Sequence, residues 1–204
     1  MDIYRDQYER LLKHLPERGV FFEAGANDGI WQSYTYNLEV EKGWTGVLVE
    51  PSVPVFRSCV NNRPASKCLN YALVEDPSIK SVFGDFDGNM MSSVGGNRLG
   101  RESNISVDAT TLTKIFDEYF SDVTVDLMSI DVEHYELSVI KGLNFERHRP
   151  KFILLEVTTS DMGEIVILLN GAGYIMVENI SGYTHTNNPQ WDGTHNDYLF
   201  KSII

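Results

Sequence analysis

The sequence predicts an α/β fold, with a Rossmann-like, doubly wound sheet of mainly parallel strands and helices on both faces. Short runs rich in Val, Ile, Leu and Phe alternate with segments of helical periodicity along most of the chain. Strands that are apolar throughout are typical of parallel sheets covered on both faces. The last two apolar runs have only a loop between them, which predicts an antiparallel pair at the end of the sheet.

The first half of the chain alternates between helix and strand. An amphipathic helix is predicted within residues 1–18, because apolar residues recur at helical spacing and Pro16 and Gly19 end the segment. Ser52 and Pro54 are typical of a helix start and its first turn. The five following segments are predicted as strand, helix, strand, helix and strand, at 20–24, 31–41, 45–49, 51–62 and 67–74.

The second half resumes this pattern after an irregular section. A helix at 111–120 has five apolar residues on one face, and a later helix ends at Gly142. Another helix, at 161–170, is stopped by Gly171 and Gly173. The predicted strands of this half are 125–130, 151–157, 174–179 and 197–202.

Length and charge limit the classes of function. A chain of 204 residues, 42% hydrophobic, suits one domain, predicted over 1–204. Its 17 basic and 29 acidic residues give a net charge of −12, which disfavours nucleic acid and anionic membranes as partners. No secretion signal or long apolar run is visible, so a cytoplasmic protein without membrane insertion is expected. Cys59 and Cys68 are then expected to be free thiols.

The motif FFEAGANDG, residues 21–29, follows the first predicted strand. A chain that turns sharply there and brings its backbone close to a ligand needs residues without blocking side chains, as at Gly25 and Gly29. Asn27 tolerates a left-handed conformation. Ligands of doubly wound sheets bind at this carboxyl edge, so the motif predicts a binding site.

The spacing E-x-G-x-N-x-G differs from the G-x-G-x-x-G of dinucleotide-binding proteins. Glu23, two residues before the first glycine, would repel a pyrophosphate and instead suits a cationic ligand. S-adenosyl-L-methionine carries a sulfonium and an ammonium group. Glu50 ends the second strand, where an acid can accept both ribose hydroxyls of an adenosine. The two acids together predict S-adenosylmethionine as the cofactor.

These segments resemble the FkbM family of S-adenosylmethionine-dependent methyltransferases from Val20 onward. The similarity is carried by FFEAGANDG, GWTGVLVEP, NYALVE, DLMSIDVEHYELSVIKGL and FILLEV, in that order. It implies a class I methyltransferase fold, which has a seven-stranded sheet with the last strand antiparallel. It also implies methylation of a hydroxyl, often on a sugar such as a deoxyhexose (rhamnose, for example) in a glycan or glycosylated product.

The resemblance also implies roles for individual residues. Asp131 and Glu133 are expected to face the transferred methyl group. The family usually has glycine where this sequence has His134, which adds an imidazole close to the chemistry. The residues expected to bind the cofactor are Glu23, Gly25, Ala26, Asn27, Asp28, Gly29, Glu50, Pro51, Asn70, Tyr71, Ala72, Ser92, Ser93 and Asp131.

Methyl transfer from a sulfonium is an in-line displacement that depends mainly on positioning. A sugar hydroxyl is a weak nucleophile, so a base within hydrogen-bond reach helps. The candidates by position are Asp131, Glu133, His134 and Glu156. Alternatively, Asp131 and Glu156 hold a divalent metal that lowers the pKa of the hydroxyl. Simpler explanations also exist for these residues. Glu133 and Glu136 favour the dipole at a helix start, and His134 can be a solvated or hydrogen-bonded histidine without a catalytic role.

Two loops are predicted to bind the acceptor. Residues 84–104 hold five glycines and suit a mobile active-site loop, although a disordered insertion explains the same composition. In residues 184–197, Trp191 can stack on a sugar face. His185, Asn187, Asp192 and His195 of this loop can bond hydroxyls, although a surface loop that only closes a hairpin is the simpler alternative.

Two other classes of function remain open at this stage. An NAD-dependent or nucleotide-sugar oxidoreductase would share the sheet. The missing G-x-G-x-x-G motif and the Glu23 carboxylate argue against this class. A non-catalytic interaction module would keep the fold without binding a cofactor. Among methyltransferases, one that acts on protein or nucleic acid is a further alternative, and the acidic charge makes nucleic acid the least favoured acceptor. The oligomeric state and the acceptor stay open.

Overall fold

The structure is a computed structural model that describes residues 3–96 and 98–204. Residues 1–2 of the predicted N-terminal segment and Asn97 of the predicted 84–104 loop lie outside the described residues. The helices of the described chain are α1 (Ile3–Leu12), α2 (Tyr34–Lys42), α3 (Val53–Asn62), α4 (Leu112–Tyr119), α5 (Glu136–Lys141) and α6 (Met162–Gly171). None of the helices in this part of the chain is long and apolar enough to cross a membrane.

The strands alternate with these helices. They are β1 (Val20–Ala24), β2 (Thr45–Val49), β3 (Lys67–Leu69), β4 (Ala72–Leu73), β5 (Ser81–Gly84), β6 (Ile105–Thr110), β7 (Leu127–Ile130), β8 (Phe152–Thr158), β9 (Tyr174–Asn179) and β10 (His195–Ser202). Seven of them form a sheet in the order β3-β2-β1-β7-β8-β10-β9, and β4, β6 and β5 form a smaller sheet.

The topology confirms the predicted fold class. Strand β10, the last in the chain, is antiparallel to both β8 and β9, and the other pairs of the large sheet are parallel. Buried residues of α1, α2 and α3 pack on one face of the sheet, and those of α4, α5 and α6 pack on the other. Strand order reverses between β1 and β7, so the loops that leave these strands open a crevice at their carboxyl ends.

The structure corrects several predicted elements. The predicted strand 67–74 is two strands in different sheets, and the break lies at Asn70, whose amide donates to the carbonyl oxygens of Glu50 and Pro51. Strands β5 and β6 occupy the section predicted as irregular. Both are partly exposed, so they lack the continuous apolar run that marked the other strands.

Two predicted helices are shorter than expected. Helix α1 ends at Leu12, well before Pro16. Helix α2 begins at Tyr34 and not at residue 31, because the Ser33 hydroxyl accepts a hydrogen bond from the Tyr36 amide and caps the helix there.

Candidate functional site

A cavity of about 480 Å³ opens at the carboxyl ends of β1, β2, β7 and β8. Both loops predicted to bind the acceptor contribute to its wall. The predicted site residues on this wall are Glu23, Gly25, Ala26, Asn27, Glu50, Pro51, Tyr71, Ala72, Ser92, Ser93, Asp131, Glu133, Glu156, Trp191 and His195. Asp192 also lines it, whereas the predicted site residues that do not are Asp28, Gly29, Asn70, His134, His185 and Asn187.

The turn after β1 explains the need for small residues. Gly25 has a φ of +77°, and a Cβ atom there would lie 1.6 Å from the carbonyl oxygen of Asp131. The amides of Gly25 and Ala26 both donate to the carbonyl oxygen of Val49, at 3.0 and 3.1 Å. Asn27 has a φ of +48°, as the sequence predicted. The backbone at Gly25 therefore lines the cavity directly, and no residue larger than glycine fits at this position.

Glu50 ties this turn to the end of β2. Its Oε2 accepts a hydrogen bond from the Asn27 amide at 2.9 Å, and its Oε1 accepts one from the Ser52 amide at 2.7 Å. Burial raises the pKa of Glu50 to about 7, although both amide hydrogen bonds oppose this shift. A carboxylate offers about four acceptor positions, so two remain for a ligand in the cavity. Asn70 supports this segment from behind the wall.

Glu23 is held in a buried polar network. Its Oε2 accepts hydrogen bonds from the hydroxyls of Ser33 and Thr35 and lies 3.6 Å from the Arg63 guanidinium. Burial raises the pKa of Glu23, and Arg63 acts in the opposite direction. Glu23 therefore reaches the cavity wall with one oxygen already engaged. This network makes it a support of the glycine turn as well as a candidate contact to a ligand.

Asp28 and Gly29, at the other end of the motif, were predicted to bind the cofactor but do not line the cavity. Asp28 accepts hydrogen bonds from the amides of Ile30 and Trp31, at 2.9 and 2.8 Å, and so shapes the turn. A Cβ atom on Gly29 would lie 2.7 Å from Cγ of Arg63 and 3.0 Å from Sγ of Cys59. Gly29 therefore permits close packing beneath the turn and does not line the cavity.

Three further carboxylates, Asp131, Glu156 and Asp197, line the same cavity as the glycine turn. Asp197 lies opposite Glu156 in the register of β10 and β8. Enclosure by the protein raises the pKa of Asp131 to about 6 and that of Asp197 to about 7. Burial, and then the charge of Asp131, raise the pKa of Glu156 strongly. These groups share a strongly negative region, which stabilises their protonated forms.

The metal alternative finds little support in this arrangement. Asp131 and Glu156 both line the cavity, as predicted. However, the His, Cys, Asp and Glu residues of the described chain form no group of three arranged to hold a metal ion.

The segment after Asp131 has an unusual backbone. Glu133 and His134 have φ values of +54° and +73°, and α5 begins only at Glu136. The alternative explanation by a helix start therefore holds for Glu136, in the first turn of α5, and not for Glu133. His134 adopts the conformation that the glycine usual at this position of the family adopts freely. Its Nε2 is buried without a hydrogen-bond partner among the described residues, and burial lowers its pKa. The predicted catalytic imidazole thus lies behind the wall.

Arg98, which the sequence did not single out, joins the two predicted acceptor loops. Its Nε donates to Glu133 at 3.0 Å, and its Nη2 donates to Asp192 at 2.9 Å. Arg98 lines the cavity and is mostly buried there. A single basic residue in a glycine-rich segment carries no sequence signal of this bridge. Asp197 was missed for a similar reason, since it was read only as the first residue of a strand.

The loop before β10 brings Trp191, Asp192 and His195 together. The indole N–H of Trp191 donates to the carbonyl oxygen of His195 at 2.7 Å. The imidazole Nδ1 of His195 lies 3.3 Å from Asp192, and its Nε2 lies 3.9 Å from Glu156. Burial lowers the pKa of His195 below its ordinary value of 6.5. His185 packs its ring against Trp191, at 5.3 Å between centroids.

Strand order 3-2-1-7-8-10-9, with the cavity at the switch point, defines a class I S-adenosylmethionine-dependent methyltransferase fold. The sequence profile of the methyltransferase FkbM domain matches residues 23–176. The chain therefore belongs to the FkbM methyltransferase family. No curated protein sequence matches it significantly.

Solved structures share the fold at low sequence identity. A human methyltransferase 10 domain containing protein is 9% identical, with a TM-score of 0.57 over 99% of this chain and 82% of that chain. A TehB-like S-adenosylmethionine-dependent methyltransferase from Corynebacterium glutamicum is 8% identical, with a TM-score of 0.50 over 97% of this chain and 87% of that chain. TrmK from M. capricolum, solved with S-adenosylhomocysteine, is 7% identical, with a TM-score of 0.53 over 97% and 68%.

Proposed function

We propose that this protein transfers the methyl group of S-adenosylmethionine to a hydroxyl of a sugar, such as a deoxyhexose of a glycan or glycosylated product. The observation that carries the proposal is the pairing of His195 with Asp192 on the wall of a cavity that also holds the glycine turn. A partly buried, neutral imidazole held by a carboxylate is a base suited to a hydroxyl.

The cofactor half of the cavity fits an adenosine with a charged methionine end. Glu50 keeps two acceptor positions, which suit the two ribose hydroxyls. The exposed backbone at Gly25 and Ala26 allows close approach of the ligand. Tyr71 and Ala72 line the part of the wall next to β4, where we expect the adenine. S-adenosylmethionine, when bound, supplies the methyl group and the positive sulfonium charge.

The acceptor half is both aromatic and polar. Trp191 offers a ring face on the cavity wall, and its N–H is already satisfied by the His195 carbonyl oxygen. Asn188 and Gln190 also line the wall, next to Asp192. Sugars bind through such a combination, because a ring face covers their apolar C–H groups while amides and carboxylates pair with hydroxyls.

The environment favours as base His195, which the sequence predicted only as an acceptor-binding residue. Glu133 is paired with Arg98, and burial raises its pKa to about 8, so it is a poor base near neutral pH. Glu156 has a strongly raised pKa and is protonated there. His195 has a lowered pKa and is neutral. Its Nε2 faces Glu156 at 3.9 Å, beyond hydrogen-bond distance, and is available to a substrate hydroxyl.

The chemical step then has a simple balance. S-adenosylmethionine, when bound, would supply its methyl carbon to the acceptor oxygen, and its sulfur would keep the electron pair of the broken C–S bond. The hydroxyl proton passes to Nε2 of His195, while Asp192 stabilises the resulting imidazolium. Asp131 contributes its negative charge and its backbone carbonyl to the wall against Gly25.

The family match argues against the oxidoreductase alternative. A non-catalytic module that keeps the fold and the choice of acceptor are addressed by the tests below. The acceptor proposed here is a small molecule or glycan and not a nucleic acid, because the net charge of −12 opposes phosphate backbones. Protein hydroxyls are the rival acceptor.

The first test is calorimetric titration with S-adenosylhomocysteine and, separately, with NAD. We expect binding of S-adenosylhomocysteine alone. Glu50→Ala should weaken this binding by about ten-fold or more, because two hydrogen bonds to a charged group are lost. Glu146→Ala, at an exposed acid remote from the cavity, serves as the matched control. Well-folded protein that binds neither ligand would contradict the proposal.

The second test identifies the acceptor. Isotopically labelled S-adenosylmethionine is incubated with methyl glycosides of deoxyhexoses and hexoses, amino sugars, a serine-rich peptide and RNA, each with and without a chelator. An O-methylated glycoside is the expected product, and mass spectrometry with NMR locates the methyl group. Methylation of only an amine, the peptide or RNA would refute the sugar acceptor, and loss of activity with the chelator would favour the metal alternative.

A further inference from the structure

Two thiols lie in contact directly beneath the glycine turn. Cys59 is fully buried on α3, and Cys68 is partly exposed on β3. Their Sγ atoms are 3.5 Å apart, and the two thiols share a hydrogen bond. The mechanism of methyl transfer uses neither of them.

We propose that Cys59 and Cys68 are a modification site, at which a low-molecular-weight disulfide oxidises the pair to an intramolecular disulfide bond. A disulfide has an S–S distance of about 2.05 Å, so the two sulfur atoms need to approach by about 1.5 Å. The Sγ atoms already face each other at 3.5 Å, which side-chain rotation and a small shift of α3 against β3 can close.

The difference between the two thiols sets the order of the steps. Cys68 is the partly exposed thiol, and its hydrogen bond with Cys59 lowers its pKa, whereas this bond and burial raise the pKa of the enclosed Cys59. The Cys68 thiolate attacks one sulfur of the small disulfide, whose other sulfur leaves as a thiolate. Cys59, as it loses its proton, attacks Cys68 in this mixed disulfide and releases the second small thiol. Two protein thiols are oxidised, and one small disulfide is reduced to two thiols.

Contacts connect the pair with the cofactor side of the cavity. Cys59 packs closely against Gly29, since a Cβ atom added to Gly29 would lie 3.0 Å from Sγ of Cys59. Arg63, one turn after Cys59, donates to the Gly29 carbonyl oxygen at 2.9 Å and pairs with Glu23. Closing the disulfide draws Cys59 toward β3 and away from this turn.

The second cysteine is connected to Glu50. Cys68 lies opposite Leu48 in the register of β3 and β2. The next residue of β3, Leu69, accepts a hydrogen bond from the Glu50 amide at 3.0 Å. We therefore expect the disulfide to weaken cofactor binding by about five-fold or more, the lower end of typical coupling between sites. This expected coupling, unlike the disulfide itself, rests on the proposed function.

The test treats the folded, full-length protein with oxidised glutathione and then removes the excess reagent. Intact mass should show the loss of two hydrogen atoms, and peptide mapping should find Cys59 joined to Cys68. Calorimetric titration with S-adenosylhomocysteine compares the oxidised protein, the same sample after re-reduction, and untreated protein. We expect the affinity to fall on oxidation and to return on reduction.

Two variants serve as controls. Cys68→Ser cannot form the bond, so its affinity for S-adenosylhomocysteine should not respond to oxidised glutathione. Cys59→Ala lacks the resolving thiol and should accumulate a glutathione adduct on Cys68. Wild-type protein that stays unmodified, or that stops at this adduct, overturns the proposal. A disulfide without change in affinity leaves the site standing and refutes the coupling. A disulfide in protein that binds no S-adenosylhomocysteine in either state refutes the proposed function instead.

Discussion

A Cβ atom on Gly25 would lie 1.6 Å from the carbonyl oxygen of Asp131. The two residues follow neighbouring parallel strands, β1 and β7, at the point where the strand order reverses. The turn that is proposed to hold the cofactor therefore touches the segment that is proposed to face the methyl group. A substitution at one of these positions acts on both halves of the cavity.

Gly25→Ala tests this contact. We expect it to lower the free energy of unfolding by more than about 2 kcal/mol and to weaken S-adenosylhomocysteine binding at least ten-fold, because alanine adds a backbone clash to an unfavourable φ. Urea unfolding and calorimetry measure the two effects. Gly43→Ala is the matched control, since Gly43 has a φ of +68° with nothing within 4 Å of its Cβ position. It should cost about 1 kcal/mol and leave binding unchanged. Equal effects of both substitutions would rule out the clash.

Glu136 predicts a pH dependence of stability. It is buried, accepts a hydrogen bond from the Val132 amide, and lies near the charges of Asp131 and Glu133. Burial, first, raises its pKa from 4.5 to about 8 in the folded protein. The stability that this raised pKa contributes is therefore fully present below pH 4.5 and is lost as the pH rises through 8.

Glu136→Gln removes this titration while its amide oxygen can still accept from Val132. From acidic to alkaline pH, we expect the variant to gain about 2 kcal/mol or more of stability relative to wild type. Urea unfolding of both proteins at pH values across this window measures the difference. A difference that does not change with pH would mean that folding does not shift the pKa of Glu136.

His195→Ala tests the proposed base. With the acceptor found in the screen, we expect kcat to fall about 10²- to 10⁴-fold, the usual contribution of a general base, while the affinity for S-adenosylhomocysteine stays within about two-fold. Because burial lowers the pKa of His195 below 6.5, the wild-type rate should rise with pH as the imidazole loses its proton and should reach half of its plateau below pH 6.5. His185→Ala, off the cavity wall on the same loop, is the control and should change kcat little. Full activity of His195→Ala would remove it as the base.

Arg98→Ala tests the bridge between the acceptor loops. Loss of the bonds to Glu133 and Asp192 should raise the KM for the acceptor about ten-fold or more, because two charge-assisted hydrogen bonds position these loops. Hydrogen exchange should accelerate in both loops. The exposed Arg101, which pairs with Asp87 at 3.6 Å, provides the control Arg101→Ala, for which little change is expected. Unchanged exchange in the 184–197 loop would show that Arg98 does not hold it.

The two arginines at the site have different roles. Arg63 has no exposed surface and holds Glu23 and Glu39 beneath the turn. Arg98 lies at the cavity wall and holds the covering loops. Arg63 supports the cofactor side and Arg98 the acceptor side. Substitution of Arg63 should therefore change mainly the affinity for the cofactor, and substitution of Arg98 should change mainly the KM for the acceptor.

Much of the fold could be predicted from local pattern. Strands β1, β2 and β9 have the predicted ends. For β1 and β2 the reason is that their largely buried apolar runs end at turn residues. Strands β5 and β6 were missed, because each is partly exposed and pairs only within the small sheet. The predicted strand 67–74 is interrupted at Asn70, although no glycine or proline marks a break there. The interruption arises because the side-chain amide of Asn70 donates to the loop after β2.

The cofactor side was more predictable than the acceptor side. Glu23, Gly25, Asn27 and Glu50 belong to two short motifs, and local chain geometry requires small or acidic residues there. Arg98 lies far along the chain from the 192–197 segment, which holds Asp192, His195 and Asp197, and the register with β8 places Asp197 opposite Glu156. No local pattern marks such residues, because only the folded sheet brings the segments together.

The sequence by itself determined the family, the parallel sheet and the glycine turn, because apolar runs and small residues act through short-range sterics and burial. Only the tertiary structure decided which way each polar side chain faces. In the folded protein the backbone at His134 is left-handed and His134 does not line the cavity, whereas His195 does. The physical reason is that the direction of a side chain in a loop depends on backbone dihedrals and on partners from distant segments, which local composition does not encode.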